Sequence, residues 1–356
     1  MPGLTREQIE SVDVGRQVED IVAMPQHLGD ALWRVESAAL ERVLGSSDDL
    51  APLLVCGMGG SAIGGDLAAA VLGERLLRPL QTVRGYELPT WVSPSSVVLC
   101  ASYSGNTEET LACYEAAGAL GAIRIAVTTG GRLGEAARAD GVPVIPVPAG
   151  LQPRAAVAYM LVSALEVAAL SGVALHLKTE IDAAASSLMD LAASWGPDAD
   201  SDSLAKRVAQ RLNKTCVCVY GSGPTAPVAM RWKTEINENA KVPAFWAELP
   251  EADHNEIEGW ENAAALGSFM AVFLEDSDQH PRARQRVELT AELIEPQAAG
   301  TLRIESQGVN RVERVLSLVL LGDLVSVYLA VLRDTDPTPV PIIERLKEEL
   351  AREEVV

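Results

Sequence analysis

Residues 97–107 read Val-Val-Leu-Cys-Ala-Ser-Tyr-Ser-Gly-Asn-Thr. The five apolar residues at the start predict a buried strand, and a helical pattern begins after Thr107. Between them, Ser102, Ser104 and Thr107 surround Gly105, so hydroxyl groups and backbone N–H groups meet at one turn. With the partial positive charge of the following helix N-terminus, such a turn suits a dianionic phosphate. The simpler alternative is that the hydroxyls only cap the next helix.

A second turn of this kind follows the apolar segment Leu53–Cys56. Gly59 and Gly60 permit a close approach of the backbone to a ligand, and Ser61 supplies a hydroxyl at the predicted helix start. A dinucleotide site is a weaker interpretation, because the acidic residue expected about 20 residues later has only Glu87 as a late candidate. No Lys-Ser/Thr pair follows the glycines, as a Walker loop would require. The two turns together favour the phosphate of a sugar.

Strand and helix patterns alternate over residues 53–147, which indicates a parallel sheet flanked by helices. The order of strand, Gly/Ser turn and helix returns at residues 215–235. The predicted fold class is therefore α/β, with two doubly wound parallel-sheet halves. The predicted boundaries are an N-terminal helical segment at 1–45, a first α/β domain at 46–175, a helical connector at 176–212, a second α/β domain at 213–335 and a C-terminal helix at 336–356.

Composition restricts the class of partner. The chain has 356 residues and a net charge of −20, and nucleic acid is not expected as a partner because its phosphates need a basic footprint. No membrane span is expected either, since the longest apolar candidate, 315–332, contains Asp323 and has helical periodicity. No secretory signal pattern is seen, and five cysteines lie mostly in apolar runs, so reduced thiols and a cytoplasmic location are expected.

No metal site is expected from the sequence. The four histidines have no ligand spacing, and Cys216 and Cys218 lie in one predicted strand without a partner pair. The N-terminal 45 residues are acidic, unlike the basic helix-turn-helix segment of a sugar-phosphate-sensing transcriptional regulator.

Two doubly wound halves with these turns resemble the sugar isomerase (SIS) domain superfamily. Residues 235–241, Glu-Ile-Asn-Glu-Asn-Ala-Lys, and residues 253–260, Asp-His-Asn-Glu-Ile-Glu-Gly-Trp, closely resemble the bifunctional phosphoglucose/phosphomannose isomerases. The sequence Gln-Pro-Arg ending at Arg154 and the C-terminal helix from Pro341 to Lys347 are also similar to that family. The resemblance extends over nearly the whole chain.

This resemblance implies an activity without metal or cofactor: glucose 6-phosphate or mannose 6-phosphate would interconvert with fructose 6-phosphate through a cis-enediol. It implies that Glu238 moves the proton between C1 and C2 and that Arg154 stabilises the enediolate. His254, offered by the neighbouring subunit of a homodimer, and Lys347 would assist ring opening. Thr338 would let both C2 epimers react. The implied phosphate ligands are Gly59, Gly60, Ser61, Ser102, Ser104 and Thr107.

The residues alone leave simpler interpretations open. Glu238 lies three residues after Glu235, as expected for a solvated helix face, and His254 fits an ordinary surface loop. Arg154 and Lys347 fit surface charges equally well. At the level of function, a sugar-phosphate-binding regulatory protein, a weakly active paralogue of the isomerases and an amino-sugar phosphate isomerase or synthase are the alternatives.

Overall fold

Two parallel β-sheets form the structure, a computed structural model that describes residues 4–44, 52–350 and 352. The strands of the first sheet are β1 (Leu53–Cys56), β2 (Leu80–Val83), β3 (Val97–Ala101), β4 (Ile123–Thr128) and β5 (Val144–Pro146). Those of the second sheet are β6 (Cys216–Gly221), β7 (Ala244–Glu248), β8 (Phe269–Glu275) and β9 (Gly300–Glu305). The predicted α/β class with two parallel-sheet halves is confirmed.

The two sheets share one strand order. The first runs β2-β1-β3-β4-β5 and the second β7-β6-β8-β9, so each places its second strand outside its first and adds later strands on the other side. All pairs are parallel. The central strands β1 and β3 are buried at every residue, which explains their continuous apolar sequences. The carboxyl ends of these strands are therefore the place where the loops of each half can form a site.

Helices cover the sheets and connect them. The helices before the second sheet are α1 (Arg6–Val12), α2 (Gln17–Val22), α3 (Met24–Ser37), α4 (Glu41–Leu44), α5 (Gly59–Leu72), α6 (Glu108–Ala119), α7 (Gly131–Ala139), α8 (Val157–Leu170), α9 (Lys178–Trp195) and α10 (Leu204–Leu212). The later ones are α11 (Ala226–Asn239), α12 (Ala263–Leu266), α13 (Pro281–Ile294), α14 (Arg311–Leu332) and α15 (Pro341–Leu350). Single 3₁₀ segments occupy Gly73–Arg75, Pro153–Ala156, Gly223–Thr225, Glu251–His254 and Glu256–Asn262.

Several element bounds differ from the prediction. The predicted N-terminal helical segment is divided, over the described residues 4–44, into the four helices α1 to α4. Asp13 ends α1, and its carboxylate then accepts from the backbone N–H groups of Gln17 and Val18 in α2. Strand β7 was not predicted: it is extended because its backbone pairs with β6, although Phe245 and Trp246 remain exposed.

Close helix packing fixes the elements that carry the site. A Cβ on Gly64 of α5 would lie 2.6 Å from the Cβ of Met160 in α8, so these helices touch along their backbones. In the second half, the indole Nε1 of Trp232 in α11 donates to the carbonyl of Leu318 in α14 at 2.8 Å. A Cβ on Gly322 would lie 2.1 Å from that same Nε1. Helices α5, α8, α11 and α14 thereby hold one another in fixed register.

Two of the segments are long and apolar enough to cross a membrane by length and composition. They are Pro153–Leu170, which includes α8, and α14, Arg311–Leu332, and most residues of both lie buried inside the fold. Helix α14 packs against α9, α10 and α11. In this structure, both segments serve as core helices.

Candidate active site

The two Gly/Ser turns meet at the carboxyl edge of the first sheet, where β1 and β3 end side by side. The backbone N–H of Tyr103 donates to the Oγ of Ser61 at 3.2 Å, which ties the second turn to the first. Ser102 Oγ and Thr107 Oγ1 share a hydrogen bond of 2.8 Å. The backbone N–H of Asn106 donates to Ser104 Oγ at 3.2 Å, and Ser104 is exposed. The structure therefore brings the predicted phosphate residues together in one place.

Capping does not account for these hydroxyls. Thr107 is the N-cap residue of α6, yet its side chain makes no capping bond and contacts Ser102 instead. Met58, the N-cap of α5, supplies no side-chain cap either, and among the described residues no side chain caps the start of that helix. Gly59 has a φ of +50° and open space where a Cβ would stand. An uncapped helix N-terminus beside several hydroxyls is an arrangement that suits an anion.

The phosphate turn touches the segment that carries Arg154. A Cβ on Gly60 would lie 3.0 Å from the carbonyl oxygen of Pro153 and 3.1 Å from the Cα of Arg154. Arg154 lies in the 3₁₀ segment Pro153–Ala156, at the start of α8, and only 3% of its surface is exposed. It is therefore not the surface residue that the simpler interpretation suggested.

Arg154 joins three distant parts of the chain. Its Nη1 lies 3.5 Å from the Oε2 of Glu238, and its Nε donates to the Oδ1 of Asn239 at 2.6 Å. Its Nη2 donates to the carbonyls of Pro337 and Thr338 at 2.8 and 3.0 Å. Of the predicted residues, the structure thus places Arg154, Glu238 and Thr338 together, next to the phosphate turns. A carboxylate beside a guanidinium is suited to proton transfer with stabilisation of the resulting anion.

A buried ion network lies behind this pair. The guanidinium of Arg231, 1% exposed, makes two hydrogen bonds with the carboxylate of Asp323, at 2.9 and 2.7 Å. Its Nη1 lies 3.1 Å from the Oε1 of Glu235, and its Nη2 donates to the carbonyl of Arg154 at 2.9 Å. Burial raises the pKa of the Glu235 carboxyl to about 8, against the opposing effect of the Arg231 charge.

Lys241 is a further cation at the site. It has a φ of +57°, and its Nζ donates to the carbonyls of Glu238 and Pro337, at 2.5 and 2.8 Å. Partial burial, followed by the nearby charge of Arg154, lowers the pKa of this amine to about 8. Pro337 therefore accepts from both Lys241 and Arg154, which fixes the segment that leads into α15.

A cavity of about 520 Å³ opens beside Glu238. One wall is the end of α11 and the turn after it, and the other is the start of α15. The lining residues are Asn237, Glu238, Lys241, Val242, Pro243, Val340, Pro341, Ile342 and Ile343. Its volume lies in the range of small-molecule sites, and its lining includes Glu238 but none of the predicted phosphate ligands.

His254 and Lys347 are not brought to this site within one chain. His254 is exposed in the segment Glu251–His254, and Lys347 is exposed on α15. Neither side chain makes a hydrogen bond or ion pair inside the described ranges 4–44, 52–350 and 352. Over the same ranges, no group of three or more His, Cys, Asp or Glu side chains is placed to hold a metal ion.

Asn239, Lys241 and Pro337 are site residues that the sequence analysis did not assign. The first two stand inside the motif 235–241, so the motif itself was the available signal. Pro337 contributes only its backbone carbonyl, which no side-chain pattern reveals.

Known proteins resemble this chain in sequence and in fold. A family described as "Bacterial phospho-glucose isomerase C-terminal SIS domain" matches residues 201–350. A protein of Caldicellulosiruptor bescii named bifunctional phosphoglucose/phosphomannose isomerase is 41% identical over 308 residues, covering 86% of this chain and 91% of that protein. A protein of the same name from Aquifex aeolicus is 37% identical, covering 85% and 92%. Among solved structures, a tagatose-6-phosphate ketose/aldose isomerase from Escherichia coli superposes with a TM-score of 0.71 at 20% identity, covering 92% and 96%.

Proposed function

The chain belongs to the family of bifunctional phosphoglucose/phosphomannose isomerases, and from this premise we propose that it interconverts glucose 6-phosphate and mannose 6-phosphate with fructose 6-phosphate. The observation that carries the proposal is that Glu238 lies 3.5 Å from the guanidinium of Arg154, whose own backbone lies against Gly60. An acid–base carboxylate, a fixed cation and an anion cradle are the parts that an aldose–ketose isomerisation needs.

In the proposed reaction, the 6-phosphate binds at the hydroxyls of Ser61, Ser102, Ser104 and Thr107 and at the uncapped start of α5. Glu238 removes the proton from C2 of the open-chain aldose and returns it to C1. The hydroxyl proton of O2 moves to O1 through the cis-enediol, so that C2 becomes the carbonyl carbon and C1 carries the hydroxyl group. Arg154 stabilises the negative charge that develops on these oxygens. We propose that this reaction requires neither a metal ion nor a cofactor.

His254 and Lys347 are proposed to assist ring opening from a partner subunit or after movement of α15. The exposure of both side chains supports this assignment. Every described residue of α15 is exposed, and Ile342, Ile343 and Leu346 form an apolar stripe along it. An exposed apolar helix face of this kind is typical of a contact surface, so we propose a homodimer with shared active sites.

No nucleic acid or membrane is proposed as a partner, in line with the net charge of −20. All five cysteines are free thiols, which supports a cytoplasmic location.

The test is an assay of EDTA-treated, purified protein with fructose 6-phosphate, in which glucose 6-phosphate and mannose 6-phosphate are measured separately. Formation of both products is expected. A protein that forms neither product, while sugar phosphates still raise its melting temperature, would be a regulatory binding protein instead. Activity that is lost with EDTA and restored by a divalent ion would contradict the metal-free mechanism.

A further inference from the structure

The side chain of Asn239 is completely buried at the end of α11, one residue after Glu238. Its Oδ1 accepts from the Nε of Arg154 at 2.6 Å, the shortest of the hydrogen bonds that this guanidinium makes. The other acceptors of Arg154 are the carbonyls of Pro337 and Thr338, which belong to the segment before α15. Through this side-chain amide, Asn239 ties Arg154 to the helix that carries Glu238.

The orientation of this amide is determined by its other partners. Its Nδ2 donates to the Oγ of Ser326 at 2.8 Å and to the Oε2 of Glu235 at 3.2 Å. Because both of these atoms lie on the amide's nitrogen side, the oxygen must face Arg154. Ser326 is itself fixed, since its Oγ donates to the carbonyl of Asp323 at 2.6 Å.

We propose that Asn239 is a positioning residue for the isomerisation: it holds the guanidinium of Arg154 in the orientation in which Nη1 faces Glu238 and the reacting carbons. The inference rests on the proposed function. Without the amide oxygen, the Nε of Arg154 loses its acceptor, and the guanidinium keeps the two carbonyls before α15 and the 3.5 Å contact of Nη1 with Glu238. Its Nη1 is then free to rotate away from Glu238, and a displacement of about 1 Å can cost about 100-fold in rate.

Steady-state kinetics of Asn239→Ala test the proposal. We expect kcat to fall about 10- to 100-fold, with a change in KM of less than about threefold because the phosphate turns are not contacted. Asn239→Asp keeps an acceptor for Arg154 and is expected to retain more of kcat than the alanine variant. The matched control is Thr234→Val on the same helix, which removes a hydroxyl that donates only to the carbonyl of Arg231. Its kcat is expected to stay within about twofold of the wild type.

A double-mutant cycle with Arg154→Lys separates positioning from a general loss of stability. Lysine has no Nε, so in that background Asn239→Ala should lower kcat by less than about twofold. An equal loss in both backgrounds would overturn the inference. Should Asn239→Ala not fold, Ser326→Ala removes one partner of the amide nitrogen, and the same cycle with Arg154→Lys applies. A wild type without isomerase activity overturns both this inference and the proposed function. An active wild type and an unaffected Asn239→Ala variant overturn the inference alone.

Discussion

At the scale of single residues, the candidate site is centred on the guanidinium of Arg154 and the few groups that contact it. This guanidinium contacts Glu238, Asn239 and the backbone of Thr338, and it is almost fully buried. A buried cation keeps its charge only when it is paired, and one partner found here, Glu238, is also the proposed base. Removing one of these side chains would therefore affect both stability and activity. Substitutions that keep the size of the side chain separate the two effects better.

Replacement of Glu238 by glutamine should abolish proton transfer while preserving the fold. The amide keeps the size of the carboxylate and loses its basicity, so kcat should fall by about 10³-fold or more. Turnover and exchange of the substrate C2 proton with deuterated water measure the effect. Glu288→Gln, an exposed change on α13, serves as the control. Near-normal exchange in Glu238→Gln would show that another group is the base.

Glu235 should make the stability of the protein depend on pH. Its pKa in the folded protein, about 8, lies above the ordinary value, so between about pH 4.5 and 8 the folded chain holds more protons than the unfolded chain. The contribution of this group to stability is thus complete below about pH 4.5 and is lost as the pH rises toward 8. The charged groups that face it are Arg231 and Glu238 on α11, Asp323 on α14 and Arg154.

Melting temperatures of the wild type and of Glu235→Gln at pH 5, 6.5 and 8 test this dependence. Glutamine does not titrate, so the wild type should lose stability relative to the variant as the pH increases. Parallel profiles for the two proteins would show that Glu235 is ionised throughout.

At the scale of elements, the N-terminal helices contribute to the site through the turn between α1 and α2. A Cβ on Gly15 would lie 2.1 Å from the Oγ1 of Thr338. That hydroxyl is buried and has no hydrogen-bond partner among the described residues. This is consistent with a hydroxyl that hydrogen-bonds to substrate, as proposed. The N-terminal segment therefore sets the position of the proposed specificity residue.

Gly15→Ala should change the ratio of mannose 6-phosphate to glucose 6-phosphate formed from fructose 6-phosphate. The added methyl group must displace Thr338, and a severalfold shift in the product ratio is expected from a change of about 1 kcal/mol between the two epimers. Gly29→Ala on α3 is the matched control, because its Cβ meets nothing within 4 Å. A uniform loss of both products without a change in ratio would assign Thr338 a purely structural role.

At the scale of the whole molecule, one chain assembles only part of the proposed machinery. Arg154 and Glu238 lie together, whereas the side chain of His254 is exposed and makes no hydrogen bond or ion pair among the described residues. The apolar stripe on α15 and the exposed Phe245 and Trp246 of β7 offer surfaces for a second copy. The proposed dimer would complete the site by contributing His254 across its two-fold axis.

Mixed dimers of Glu238→Gln and His254→Ala subunits test this sharing. If His254 acts on the partner's site, each mixed dimer contains one intact site, and random mixing should restore about a quarter of wild-type activity. If His254 acts within its own chain, each site carries one defect and no activity should return. Light scattering checks the oligomeric state, and an active monomer would contradict the proposal.

The sequence by itself determined the α/β class and the strands β1 and β3, which match the predicted apolar runs, each followed by a Gly/Ser turn. The physical reason is local. Buried parallel strands are continuous apolar runs, and residues such as glycine and serine favour turns by themselves. The motif at 235–241 likewise marked the helix end that carries Glu238.

Only the tertiary structure decided which side chains surround Arg154. Its partners Asn239 and Thr338 lie 85 and 184 residues away along the chain, and Pro337 takes part through its backbone alone. Strand β7 is likewise extended only because β6 lies beside it. Such contacts depend on how the two sheets and their helices pack, and no local pattern encodes a hydrogen bond between residues that meet only after folding.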